Sequence, residues 1–108
     1  MNVFFLILFF NLLQITQNNL ENHFELGEKL FEANCSVCHP NGKNIIIPEK
    51  NLQKENLETN GMNSINAISY QVINGKNGMP GFGDRLAEKD IEIIADYILL
   101  QSLKNFEK

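Results

Sequence analysis

A chain of 108 residues builds one domain with one core, and 44% hydrophobic with 20% charged residues is the composition of a folding chain, not a disordered one. Nine Lys plus Arg against thirteen Asp plus Glu leave a net charge of −4 and no basic stripe for phosphates, which argues against a nucleic-acid partner and for proteins with basic docking surfaces. So small a domain buries little apolar surface, so a disulfide, a metal or a large apolar cofactor is expected to reinforce it, with two cysteines available to hold one.

Val3 to Leu13 is apolar except for Asn11. The run falls short of the roughly 20 residues of a comfortable membrane span and has the length of a signal-peptide core. It is read as an export signal that is cleaved, with residues 1–21 a hydrophobic signal or targeting segment and residues 22–108 the folded domain. Two features of such signals are missing: no Lys or Arg precedes the run, and no small-x-small site lies between Gln14 and Asn22. An uncleaved anchor tethering the domain to a membrane is the alternative.

Phe24 to Asn34 has helical spacing, with Phe24, Gly27, Leu30 and Phe31 on one face, and leads directly into the cysteines. Asn41, Gly42 and Asn44 mark a loop; Pro48 starts a short helix carrying Leu52 and Leu57, which Asn60-Gly61 ends. Ser64 is the N-cap of a helix with Ile65, Ile68 and Val72 on its apolar side, stopped at Asn74-Gly75. A glycine-rich loop holding Met79 and Pro80 follows. Ile91, Ile94, Ala95, Ile98 and Leu99 then recur at helical intervals and define the last helix. No alternating strand pattern interrupts this all-α order.

Cys35-Ser36-Val37-Cys38-His39 is the C-x-x-C-H pattern of covalent haem attachment. Two thiols three residues apart on a tight turn each add to one vinyl group along a haem edge, and the next side chain lies beneath the ring, where an imidazole nitrogen reaches iron. His39 is then the proximal ligand, its other ring nitrogen expected to donate to a carbonyl or carboxylate that fixes the tautomer, a backbone carbonyl in the loop Ile45 to Pro48 being one candidate. Three other readings stand beside this one. A structural disulfide leaves His39 unexplained, a redox dithiol calls for a strand-helix context, and structural zinc needs four ligands where the only other histidine is His23.

Met79 is the candidate for the second axial position. Its thioether is soft enough for iron, Gly78 permits close backbone approach, and Pro80 stiffens the loop. His23 lies near the amino terminus and Met62 where a helix ends. Histidine and methionine together leave iron no open position and raise its potential, which favours one-electron transfer over catalysis. A haem enzyme or gas sensor, in which Met79 does not bind iron, is the contrasting possibility.

With these motifs in place, residues from about Phe24 to Ser102 resemble the cytochrome c6 family. Beyond the haem motif, the resemblance rests on the runs 47–50, 60–64, 67–72, 74–77 and 79–83 and on the helix Asp90 to Gln101. It implies a class I cytochrome c fold of four to five helices around one covalently bound haem c, with the first and last helices crossing where Gly27 and Phe31 meet Tyr97. It further implies that Gln71 lies close to the haem and that Arg85 helps to dock the carrier. The partners it implies are cytochrome f of the cytochrome b6f complex, as donor, and photosystem I, as acceptor, in the thylakoid lumen. Residue usage leaning to Asn, Ile, Lys and Phe fits an A/T-rich plastid gene. A bacterial cytochrome c serving a terminal oxidase is the alternative within the same class. The chain departs from the family in its export signal and in having no tryptophan, for which Phe106 is the stand-in.

Overall fold

The computed structural model describes residues 3–108. Four α-helices follow one another, α1 (Val3–Asn34), α2 (Lys54–Thr59), α3 (Ile65–Asn74) and α4 (Glu88–Ser102), with 3-10 turns at Pro40–Gly42 and Pro48–Lys50. Among the described residues the sole β feature is an isolated bridge between Lys76 and Met79. The all-α expectation is met.

Helix α1 is longer than its periodicity predicts. The polar stretch after Leu13 reads as an interruption, yet it contains neither Gly nor Pro, and Asn, Gln and Thr each cost a helix only about 0.7 kcal/mol or less relative to Ala. Thr16 turns its hydroxyl back to donate to the Leu12 carbonyl at 3.1 Å, so its polar group is satisfied within the helix. Side chains are exposed throughout from Val3 to His23, and packing against the domain begins at Phe24.

From there α1 crosses α4 at close quarters. A Cβ built on Gly27 would lie 2.7 Å from the Tyr97 Cβ and 3.2 Å from the Ile93 carbonyl oxygen, so only glycine permits this approach. The Tyr97 ring sits between Phe24 and Phe31, with centroids 5.2 and 5.3 Å away, in the tilted arrangement aromatic pairs prefer. Phe106 continues the stack, 5.8 Å from Phe31, and is buried, as a stand-in for the absent tryptophan must be. At the edge of the crossing His23 pairs with Asp96 at 3.1 Å. Ile91, Ile94, Ala95 and Ile98 of α4 carry the core toward Ile68 and Val72 of α3 and Leu57 of α2.

Local capping sets where α3 begins. The Ser64 hydroxyl accepts from the Ala67 N–H at 3.1 Å, the expected N-cap of α3. The helix predicted from Pro48 is instead a single 3-10 turn followed by α2. Between them the Leu52 N–H is drawn away to the Gly42 carbonyl at 2.7 Å, and the Asn51 side chain accepts from the Gln53 N–H at 3.0 Å. Both bonds compete with helix continuation.

Gly27→Ala is expected to destabilise the haem-loaded protein by about 1 to 3 kcal/mol, since overpacking at the crossing outweighs the roughly 0.5 to 1 kcal/mol that alanine gains inside a helix. Urea denaturation measures the difference, and a more stable variant would show that the helices do not meet at this residue.

Candidate functional site

The last turn of α1 runs on into the cysteines. The Cys35 and Ser36 N–H groups donate to the Phe31 carbonyl at 2.8 and 3.1 Å, and those of Cys38 and His39 donate to the Cys35 carbonyl at 3.2 and 2.9 Å. Two free thiols and an imidazole are thereby held on one turn at the end of a packed helix.

His39 Nδ1 lies 2.8 Å from the Lys43 carbonyl oxygen. A carbonyl only accepts, so Nδ1 carries the proton and Nε2 keeps its lone pair. The acceptor sits two residues before the predicted loop, because the 3-10 turn Pro40–Gly42 folds the Lys43 carbonyl back to the ring. Backbone amides of the loop further on are taken up by Asn44. Its Oδ1 accepts from the N–H groups of Ile46 and Ile47 at 3.0 and 2.9 Å, and its Nδ2 donates to the Lys50 carbonyl at 3.0 Å. Sequence reasoning treated Asn44 only as a loop residue; the signal it carried is the tendency of asparagine to bond backbone two and three residues on.

Across from this turn, the loop after α3 presents Met79. Lys76 and Met79 exchange two backbone bonds of 3.0 Å each, and the Phe82 and Gly83 N–H groups reach back to the carbonyls of Val72 and Ile73 at 2.7 and 3.1 Å. Gly75 has φ 73°, and a Cβ there would lie 2.5 Å from the Met79 carbonyl oxygen, so glycine is needed for the reversal. The Gln71 amide donates toward Met79 Sδ at 3.8 Å. Arg85 lies over the Phe82 ring, 4.3 Å from its centroid, and donates to the Gly81 carbonyl at 3.3 Å while remaining exposed.

Cys35, Cys38, His39, Gln71, Met79 and Arg85 all line one cavity of about 400 Å3, within the roughly 300 to 1,000 Å3 usual for cofactor pockets. Its walls are mostly apolar, supplied by Leu52, Leu57, Ile68, Val72, Phe82 and Ile98. Met62, assigned from sequence to a helix end, also lines it, whereas His23 is engaged with Asp96 outside. Burial, with a smaller contribution from neighbouring Cys38, pushes the Cys35 thiol up to about 11. Burial also pushes the His39 imidazole down, partly opposed by the Lys43 carbonyl, so the ring is favoured as the neutral species that binds metals.

Comparison with known proteins agrees with this geometry. Residues 22–98 match the model of a family described as cytochrome C oxidase, cbb3-type, subunit III. Cytochrome c6 of Bumilleriopsis filiformis is 55% identical over 83 residues, 77% of this chain and 96% of that protein. The chain belongs to the cytochrome c6 family. Cytochrome c6 of Porphyra purpurea is 48% identical over 106 residues, covering 98% of this chain and 96% of that one. The crystal structure of cytochrome c6 from the diatom Phaeodactylum tricornutum superposes with a TM-score of 0.73 at 42% identity, over 76% of this chain and 97% of that structure. Members of the cytochrome c6 family are electron carriers with covalently bound haem c, and this chain is one of them. The residues present suit the cofactor: an apolar cavity, two thiols on one turn, an imidazole with a free nitrogen and a soft thioether share a single space.

Asn44→Ala strips two backbone N–H groups of their acceptor and is expected to cost about 1 to 3 kcal/mol. Urea denaturation of the haem-loaded protein measures it; a variant as stable as the parent would mean that water replaces the side chain without loss.

Proposed function

We propose that this protein carries single electrons from cytochrome f of the cytochrome b6f complex to photosystem I, in the thylakoid lumen of a plastid. The observation that carries the proposal is the convergence of Cys35, Cys38, His39 and Met79 on one apolar cavity. In this reading Cys35 and Cys38 would form the two thioethers and His39 and Met79 would hold the iron. Haem c bound there supplies reversible one-electron chemistry at iron.

The chain's own residues do the rest. Lys43 holds His39 in one tautomer, the Gly75–Gly83 loop holds Met79, and the apolar walls keep water away from the centre. With His39 and Met79 as its ligands, a bound haem would leave oxygen and peroxide no vacancy. Two side chains that serve as ligands in both redox states would keep reorganisation small. Gln71, donating toward the Met79 sulfur, is assigned a place beside the haem, and exposed Arg85 a docking role. Residues 1–21 direct the domain across a membrane, and residues 22–108 form the cytochrome domain.

The family model's description, a cbb3-type oxidase subunit, favours a second reading in which the carrier serves a terminal oxidase. Reduction of flash-oxidised photosystem I distinguishes the two. The protein is expected to reduce it in a bimolecular, salt-dependent reaction that Arg85→Ala slows; failure at every ionic strength would remove photosystem I as the acceptor.

The ligand assignment is tested by visible spectra with carbon monoxide added to the reduced protein. The parent is expected to show c-type bands, a weak ferric sulfur-to-iron band and no response to the gas. Met79→Ala is expected to keep covalent haem, lose the ferric band, bind carbon monoxide and shift to a lower potential. Prompt gas binding by the parent would instead indicate an open iron, as in a haem enzyme or sensor.

A further inference from the structure

The chain holds four Asn-Gly pairs, beginning at Asn41, Asn60, Asn74 and Asn77. An Asn-Gly pair is where a polypeptide most readily modifies itself: the glycine nitrogen attacks the asparagine side-chain carbon, and with no Cβ on the glycine nothing shields the approach. The attack needs a nitrogen and a side chain that are free of other hydrogen bonds.

In three of the pairs the nitrogen is already engaged. The Gly42 N–H donates to the His39 carbonyl at 3.1 Å, that of Gly61 to the Glu58 carbonyl at 3.2 Å, and that of Gly75 to the Gln71 carbonyl at 2.7 Å. Gly42 is also buried. The side chains of Asn60 and Asn74 are tied as well, one accepting from Lys50 Nζ at 3.1 Å and the other donating to the Tyr70 carbonyl at 2.8 Å. Asn77 and Gly78 differ. Both are exposed, and neither the Asn77 side-chain amide nor the Gly78 N–H has a hydrogen-bond partner among the described residues. Asn77 has φ 47°, a conformation that L residues occupy at a cost, so opening the turn for the attack relieves strain.

We propose that Asn77 is a site of spontaneous deamidation and the point at which the Met79 loop ages. The Gly78 nitrogen bonds to Asn77 Cγ and the Cγ–Nδ2 bond breaks. Nδ2 leaves as ammonia, taking the proton lost from Gly78, and a succinimide ring closes. Water then opens the ring. Addition at Cγ gives aspartate; addition at the main-chain carbonyl carbon gives isoaspartate, whose chain runs through Cβ and Cγ and is one atom longer. No oxidant or reductant takes part, and each product carries a carboxylate where an amide stood.

The position of Asn77 gives this change a consequence. Asn77 and Gly78 are the central pair of a two-residue turn, with φ 47° and 92°, closed by two backbone bonds of 3.0 Å between Lys76 and Met79. Both ends of the loop are fixed to α3, the Gly75 N–H on the Gln71 carbonyl and the Phe82 N–H on the Val72 carbonyl. The atom that isoaspartate adds has to be absorbed between those ends, in the segment that carries Met79 and lines the cavity. A surface modification is thereby turned into displacement of the Met79 thioether. That last step rests on the ligation by Met79 proposed above; the deamidation itself does not.

The test ages the haem-loaded protein in warm, mildly alkaline buffer and compares it with a fresh sample. Tryptic mapping reads the modification, since cleavage after Lys76 separates Asn74 from Asn77. Labelling by an isoaspartyl methyltransferase reads the longer product, and carbon monoxide binding to the reduced protein reads the iron. The Asn77 peptide is expected to gain the mass of an amide turned acid on the order of tenfold faster than the other three, whose pairs must first give up hydrogen bonds. Gas binding is expected to grow in step with isoaspartate. Asn77→Gly, which accepts positive φ and has no amide, is expected to show neither change on ageing. Fresh Asn77→Asp adds the charge without the extra atom and is expected to stay closed to the gas. An Asn77 that stays intact, or that reacts no faster than the other pairs, would overturn the site. Isoaspartate without gas binding, or equal gas binding by fresh Asn77→Asp, would overturn the displacement. A fresh parent that binds the gas would overturn ligation by Met79, with the peptide map still deciding the modification.

Discussion

The approach of α1 to α4 at Gly27 is the constraint on which the remaining geometry depends. Helix α1 ends in the turn that carries Cys35, Cys38 and His39, so its angle against α4 decides where those side chains stand. The angle is held by backbone proximity at one point and by aromatic rings on either side, Phe24 and Phe31 about Tyr97. Close packing transmits any shift there directly, since an interior at crystal-like density has no slack to absorb it. Phe106, turned back onto Phe31 after α4, locks the crossing from the carboxyl-terminal side.

The two sides of the cavity are built by different means, and the difference suits their tasks. The cysteine and histidine side is a helix end plus one tight turn, with every bond local and the imidazole fixed by a carbonyl four residues on. The Met79 side is a loop with no regular structure of its own, held by bonds to the end of α3 and by a two-bond bridge within itself. A thioether is a weak donor to iron, so its position has to come from the backbone that carries it. Gln71 adds a polar group beside that sulfur in a cavity whose walls are otherwise mostly apolar.

What could be read from sequence divides along the range of the interactions involved. The C-x-x-C-H turn, the Ser64 cap and the apolar stripe of α4 are set by residues within a few positions of one another, and each is found where expected. Met79 was legible only by combining a loop motif with the haem motif, and the cavity brings the two together. The acceptor of His39 was misplaced because it depends on how a 3-10 turn folds, which three residues of sequence do not disclose. The helix expected from Pro48 starts later, at Lys54, because a distant group, the Gly42 carbonyl, captures the Leu52 N–H, while its end at Asn60 is found where expected. The unbroken length of α1 was hidden by a run of amides that looks like a linker and contains no residue that stops a helix.

A domain of this size with a cavity of about 400 Å3 at its centre places much of its apolar wall in the service of the cofactor. Leu52, Leu57, Ile68 and Val72 face that space as well as one another, so without the ring they lose contacts on one side and the core loses dispersion energy that small domains cannot spare. Covalent attachment at Cys35 and Cys38, as proposed, would therefore do more than retain the cofactor: it would keep the largest apolar component of the core from dissociating. The fold and the redox centre would then be a single cooperative unit, in which the α1 and α4 crossing orients the thiols and an attached ring would in turn fill the cavity lined by α2, α3 and the Met79 loop.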